Sequence, residues 1–206
     1  MLGFTCITLC LSPPPTAFGR RAMLGGATTA ALLHTAPAWA RTPGSSDVNE
    51  AVEQIRDASV ELRRLQRDWA TYAVIDAEGR AGNIDAARRI LGGVAPQRGE
   101  AAIEMARRTP LYRIDGAFNA VRKAAIDASA GAWLAAIDLD VFDEACERIL
   151  FSLQKTDGDF YGVVFASKGS NMLAGIYKEA RVQVDRSADD FDLILRLLRE
   201  AGAPGL

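Results

Sequence analysis

Few side chains in this sequence have the type and spacing for chemistry. Asp138-Leu139-Asp140 and Asp157-Gly158-Asp159 place carboxylates at i and i+2, the opening of a calcium loop. Such a loop also needs oxygen ligands at its fifth and twelfth positions. Counted from Asp157 these are Tyr161 and Lys168, so the pattern fails and the acids read as helix caps and a turn. The acidic run Ala188–Asp192 reads as a solvated helix face. Phe165–Asn171, "FASKGSN", sets a glycine beside Lys168, but a phosphate-binding loop wants two glycines five apart before its lysine. Ser167 and Lys168 evoke a Ser-Lys dyad, yet adjacency supplies no such geometry. Cys146 sits beside Ala145 in an apolar helical stripe with Ile149 and reads as a small core residue.

The first 40 residues read as an address. Arg20 and Arg21 form a twin-arginine n-region, and no charged residue occurs from Ala22 to Ala36. Pro37 breaks the run, and Ala38-Trp39-Ala40 puts small residues at both specificity positions of a signal peptidase. The run is shorter than the roughly 20 residues that span a bilayer. Before it lies a second apolar segment with Cys6 and Cys10, then "SPPP" and "TAF". That order resembles the tripartite presequence of algae with plastids of red-algal origin, with Ala17-Phe18 as the junction. It implies delivery to the thylakoid lumen; a bacterial periplasm is the alternative.

Removing residues 1–40 leaves 166, a size suited to one domain. Arg20 and Arg21 leave with it, so 22 basic residues face 26 acidic ones, a net charge of −4. That balance argues against a nucleic-acid partner. The only histidine, His34, is lost, and Cys146 is the one cysteine kept. Without imidazole there is no Ser-His or Cys-His pair and no Glu-x-x-His di-iron site. No cofactor, metal site, catalytic residue or small-molecule substrate is expected.

The elements that would position any site read as helices. From Asp47 to about Ile75, Val48, Val52, Ile55, Leu62, Leu65, Trp69 and Tyr72 recur at three- and four-residue steps. Asp47 with Glu50 makes a capping-box-like start. Asn83 caps a short helix that stops at Gly92, and a turn or two fits near Ala101–Arg107. Thr109-Pro110 opens the next long helix, striped by Ile114, Phe118, Val121 and Ala125. Asp140 starts a third, with Phe142, Ala145, Ile149, Leu150 and Leu153. Lys155–Asn171 carries a turn signal at Asp157-Gly158 and reads as a loop continuing into a helical turn, with a short strand as the other option. The last helix runs from Asn171 to about Glu200. The expected fold is all-α, an up-down four-helix bundle with short additional helices.

Three segments carry a resemblance: "RRILGG" (Arg88–Gly93), "TPLYRIDGAFNAVRKA" (Thr109–Ala124) and "SLQKTDGDFYGVVFASKGSN" (Ser152–Asn171). The chain resembles the extrinsic lumenal subunits of photosystem II in red-lineage algae, the PsbQ-like four-helix-bundle group with its diatom-type extrinsic protein. The resemblance covers roughly Asp47 to Glu200. It implies a single such domain over 41–206, peripheral to the thylakoid membrane and not an enzyme. Partners would be photosystem II core lumenal domains and other extrinsic subunits. The role would be to shield the manganese–calcium cluster and help retain calcium and chloride. A structural or assembly subunit of another thylakoid complex, such as photosystem I with its antenna, stays open, as does a lumenal or periplasmic enzyme built on carboxylates alone.

Docking candidates follow from side-chain type. Arg63, Arg64 and Arg67 would meet an acidic lumenal surface. Tyr112 near a helix start, Trp133 near a helix end, and Phe160, Tyr161 and Phe165 in the expected loop would act as aromatic anchors, or seal the ends of the bundle.

Overall fold

The computed structural model describes residues 43–93, 99–127, 131–166 and 170–206. The presequence expectation, with Arg20, Arg21, Ala38 and Ala40, and the pair Ser167 and Lys168 lie outside them. The described residues are mostly helical, as expected for an all-α chain.

α1 (Val48–Arg67) starts where the sequence places it. The Asp47 carboxylate accepts from the backbone N–H groups of Asn49 and Glu50 at 2.9 and 3.0 Å, satisfying two donors of the first turn. The stripe Val48, Val52, Ile55, Leu62 and Leu65 is buried. The helix stops at Arg67, short of the expected Ile75. A single turn, α2 (Trp69–Tyr72), follows, then a small antiparallel hairpin of β1 (Val74–Ile75) and β2 (Ala81–Gly82), with Val74 opposite Gly82. Asp76 makes the hairpin. Its Oδ1 accepts from the N–H of Glu78 and of Arg80, which closes the turn between the two strands.

α3 (Ile84–Ile90) and α4 (Gly99–Ala106) are short. Asn83 precedes α3 in the left-handed region, φ 59°, and its side chain donates to the Thr71 carbonyl at 2.7 Å instead of capping. Thr109 opens a turn and not the long helix expected there: its hydroxyl accepts from the Leu111 N–H at 3.4 Å. The same hydroxyl donates to the Ile90 carbonyl at 2.7 Å, and Arg113 at φ 53° breaks the chain before α5 (Ile114–Asp127) begins. Buried Gln54 holds this turn to α1, donating to the carbonyls of Pro110 and Tyr112 at 2.9 and 3.1 Å.

α6 (Leu139–Gly162) is capped by Asp138, not Asp140, through Val141 N–H at 3.2 Å. It continues through Asp157-Gly158, where the sequence suggests a turn, to Gly162, and a 3-10 turn (Val163–Phe165) follows. α7 (Ser170–Ala201) has 32 residues, about 48 Å at 1.5 Å per residue. α6 packs along α7, α1 on α5 and α7, and α5 on α6. Phe142, Phe191, Ile55, Leu62, Leu65, Ile149, Ile194 and Leu198 are fully buried among them. Phe118 joins this core edge-on to Phe142 at 6.3 Å and tilted to Phe191 at 6.0 Å. A thin polar seam crosses it, in which the Ser152 hydroxyl donates to Gln183 Oε1 at 3.1 Å.

Candidate docking surface

The segment "RRILGG" and the end of α6 build one surface together. α3 brings Arg88, whose guanidinium meets Asp157 of α6 twice: Nε to Oδ1 at 2.8 Å and Nη2 to Oδ2 at 3.1 Å. The Arg88 side chain is only 11% exposed, so water screens this pair less than it does a surface pair. The hydrogen bond to Asp157 holds the guanidinium still further above its usual range. Its carbon also lies 5.0 Å from the Tyr161 ring centroid, a cation–π distance.

Two glycines make room for this. Gly92 has φ +79°, and a Cβ there would come within 2.9 Å of the Tyr112 backbone. A Cβ on Gly93 would run into the Asp157 carboxylate. The Thr109 hydroxyl on Ile90 fixes the same turn from the other side.

From this base α6 carries a tip into solvent. Tyr161 is 40% exposed, and Phe165, in the 3-10 turn Val163–Phe165, is 70% exposed. Their rings meet near-perpendicular, centroids 5.0 Å apart. Val164 adds a third apolar side chain, 58% exposed. The three stand at i, i+3 and i+4, one face of a helical turn. Charges beneath are paired internally, Arg88 with Asp157 and Lys155 with Asp159 at 3.0 Å.

The other expected site residues fall elsewhere. Phe160 is fully buried, its ring tilted against Trp69 and Tyr177 with centroids 5.7 Å away in each case, so it seals the core and is no exposed anchor. As the helix continues through Asp157-Gly158, Phe160 turns inward while Tyr161 turns out. Arg63 is bound within the domain, clasping Asp192 and the Ala188 carbonyl of α7 and donating to Gln66 at 2.8 Å. Arg64 and Arg67 do project to solvent, beside Asp68 at 4.0 and 3.3 Å. Tyr112 is half-buried next to the Gly92 turn. Trp133 is half-buried in the 3-10 turn Ala132–Ala136, ahead of α6. Tyr161 lies 22 residues after Leu139, about 33 Å along α6, so Trp133 and the tip flank opposite ends of that helix.

Cys146 is buried on α6, as the stripe implied, and burial pushes its thiol well above the usual range. Among the described residues no three His, Cys, Asp or Glu side chains cluster to hold a metal ion. No helix among them is long and apolar enough to cross a membrane. Arg88, Asp157 and Val164 were not singled out as site residues by sequence reasoning. The two adjacent glycines after Arg88 were the available sign of a tight approach.

No family model matches the chain, and neither curated proteins nor solved structures give a match.

Proposed function

We propose that this chain is a non-catalytic extrinsic subunit of photosystem II in a plastid, seated on the lumenal face of the thylakoid membrane. There it shields the manganese–calcium cluster and helps retain calcium and chloride. The domain is read as an up-down four-helix bundle of α1, α5, α6 and α7. The circuit of contacts α1–α5–α6–α7–α1 supports that reading. The resemblance of Arg88–Gly93, Thr109–Ala124 and Ser152–Asn171 to the PsbQ-like group supplies the partner.

One structural observation carries the docking role. Tyr161, Val164 and Phe165 stand exposed together on a base braced by the Arg88–Asp157 pair. Exposed apolar groups set in a rigid frame cost little ordering entropy when a partner covers them. Aromatic side chains of this kind are the usual anchors of interfaces.

The test is purification of photosystem II from the source thylakoids, with mass spectrometry of its subunits. Co-purification with a mature N-terminus near Arg41 is the expected result. Migration with photosystem I and its antenna instead would overturn the partner, and a retained leader would overturn lumenal delivery.

A further inference from the structure

A second surface shares no residue with the aromatic tip. An open groove of about 350 Å³ lies between α1 and the turn that follows α4. Val60 of α1, Ile90 and Pro110 give it an apolar floor. Val60 is 63% exposed, an uncovered apolar side chain on the outer face of a helix. The hydroxyl of Thr109 on the Ile90 carbonyl ties the far wall together at 2.7 Å. A smaller hollow lined by Pro43, Gln54 and Arg107 continues the groove past Asp57, Arg108 and Pro110.

Its charges are unevenly satisfied. On the α1 side, Asp57 already has Arg56 at 3.3 Å and Glu61 has Arg64 at 3.7 Å. Opposite them stand two exposed arginines. Among the described residues, Arg89 donates through its Nε to the Asp85 carbonyl at 3.0 Å and has no ion-pair partner, and neither has Arg108. The groove therefore offers an apolar floor and, along one wall, guanidinium groups with open N–H donors. Guanidinium forks match carboxylates in two-point geometry.

We propose that this groove binds a polypeptide segment of a partner protein that sets an apolar side chain on Val60, Ile90 and Pro110 and a nearby Asp or Glu on Arg89 and Arg108. A carboxylate answers the two guanidinium groups of that wall, whereas Asp57 and Glu61 on the α1 side already face Arg56 and Arg64. A fatty acyl chain fits less well, because an open groove would leave most of its length in water. The inference does not depend on photosystem II as the partner.

Selection of random short peptides displayed on phage against the chain tests it without any photosystem. Enriched peptides are expected to join Leu, Ile or Phe to an Asp or Glu within about four residues. A synthetic copy of the leading peptide should bind about tenfold or more weakly to the R89E/R108E double variant and to V60E. It should bind R196E/R199E, whose exposed arginines lie on α7, as it binds the parent. Circular dichroism confirms that each variant is folded; all these side chains are exposed. The proposal is overturned by winners lacking acids, by equal binding to R89E/R108E, by no enrichment over that variant, or by laurate occupying the groove where no peptide does.

Discussion

Arg88 of α3 and Asp157 of α6, 69 residues apart in sequence, meet side by side at 2.8 and 3.1 Å. α3 has seven residues, too few to hold its shape alone. The paired contact, with the Gly92-Gly93 turn beneath it, sets where α3 lies on α6 and what Tyr161 rests on.

This relationship predicts a pattern of coupling. Asp157→Ala should cost about 1–2 kcal/mol, since it strands a guanidinium that is mostly out of water. Gly93→Ala should cost a similar amount, by pushing the carboxylate off Arg88. The two losses share their main cause, so Gly93→Ala should cost clearly less in the Asp157→Ala background, with only the Arg88 carbonyl at 3.1 Å left to crowd the new Cβ. Gly92→Ala meets backbone and a positive φ, so its cost of about 2 kcal/mol or more should persist there. Urea midpoints of the three single and two double variants decide it. Simple addition of the Gly93 and Asp157 costs would mean the steric link is absent.

Lys155–Asn171 shows where the sequence stopped being readable. Asp157 and Gly158 are poor helix formers, each costing a few tenths to about 1 kcal/mol, which is a sound local reason to break a helix. Tertiary contacts outweigh it: Asp157 gains Arg88, and Phe160 is buried whole only if the helix continues. Neither contact has a local signature. Thr109-Pro110 opens only a turn: the Thr109 hydroxyl accepts from the Leu111 N–H while donating to the Ile90 carbonyl, and Arg113 at φ 53° ends that turn before α5 begins. Asp47, Val52, Ile55 and Leu62 were legible because capping and the three-to-four stripe are local rules that packing here reinforces. In the candidate surface, Tyr161 and Phe165 were visible by residue type, whereas Arg88 was not, as a pair across 69 residues leaves no mark in either neighbourhood.

The core makes a simpler prediction. Phe191 is fully buried against Phe118, so Phe191→Ala should cost about 3–5 kcal/mol, a large part of a domain's stability. Phe151, equally aromatic but 65% exposed on α6, should lose no more than about 0.5 kcal/mol on the same change. Chemical denaturation of the pair separates burial from residue type.

Cys146 links the core to pH. Burial first, and then the neighbouring Asp143 carboxylate, raise the folded thiol above its ordinary 9.0. The unfolded chain therefore gives up this proton before the folded chain does, and stability falls as pH rises past 9.0. Burial raises the Tyr177 phenol from 10.0 in the same sense, so part of the alkaline loss belongs to it. Cys146→Ala should flatten the fall in urea midpoint measured between about pH 8 and pH 10 without abolishing it. An unchanged slope would mean the thiol does not titrate as a buried group.

Arg63 and Phe165 separate what holds the domain from what would meet a partner. Arg63 clasps Asp192 and the Ala188 carbonyl, so Arg63→Ala should cost roughly 1 kcal/mol, and less at high salt because Asp192 is over half exposed. Phe165→Ala removes a ring that is 70% exposed, so its melting should stay within about 0.5 kcal/mol of the parent. Rebinding to salt-washed photosystem II membranes should rank them the other way. Phe165→Ala should weaken rebinding several-fold, and Arg63→Ala should match the parent at temperatures where it is folded. Equal rebinding of Phe165→Ala would take the aromatic tip out of the interface, leaving the exposed Arg64 and Arg67 to test next by charge reversal and salt dependence.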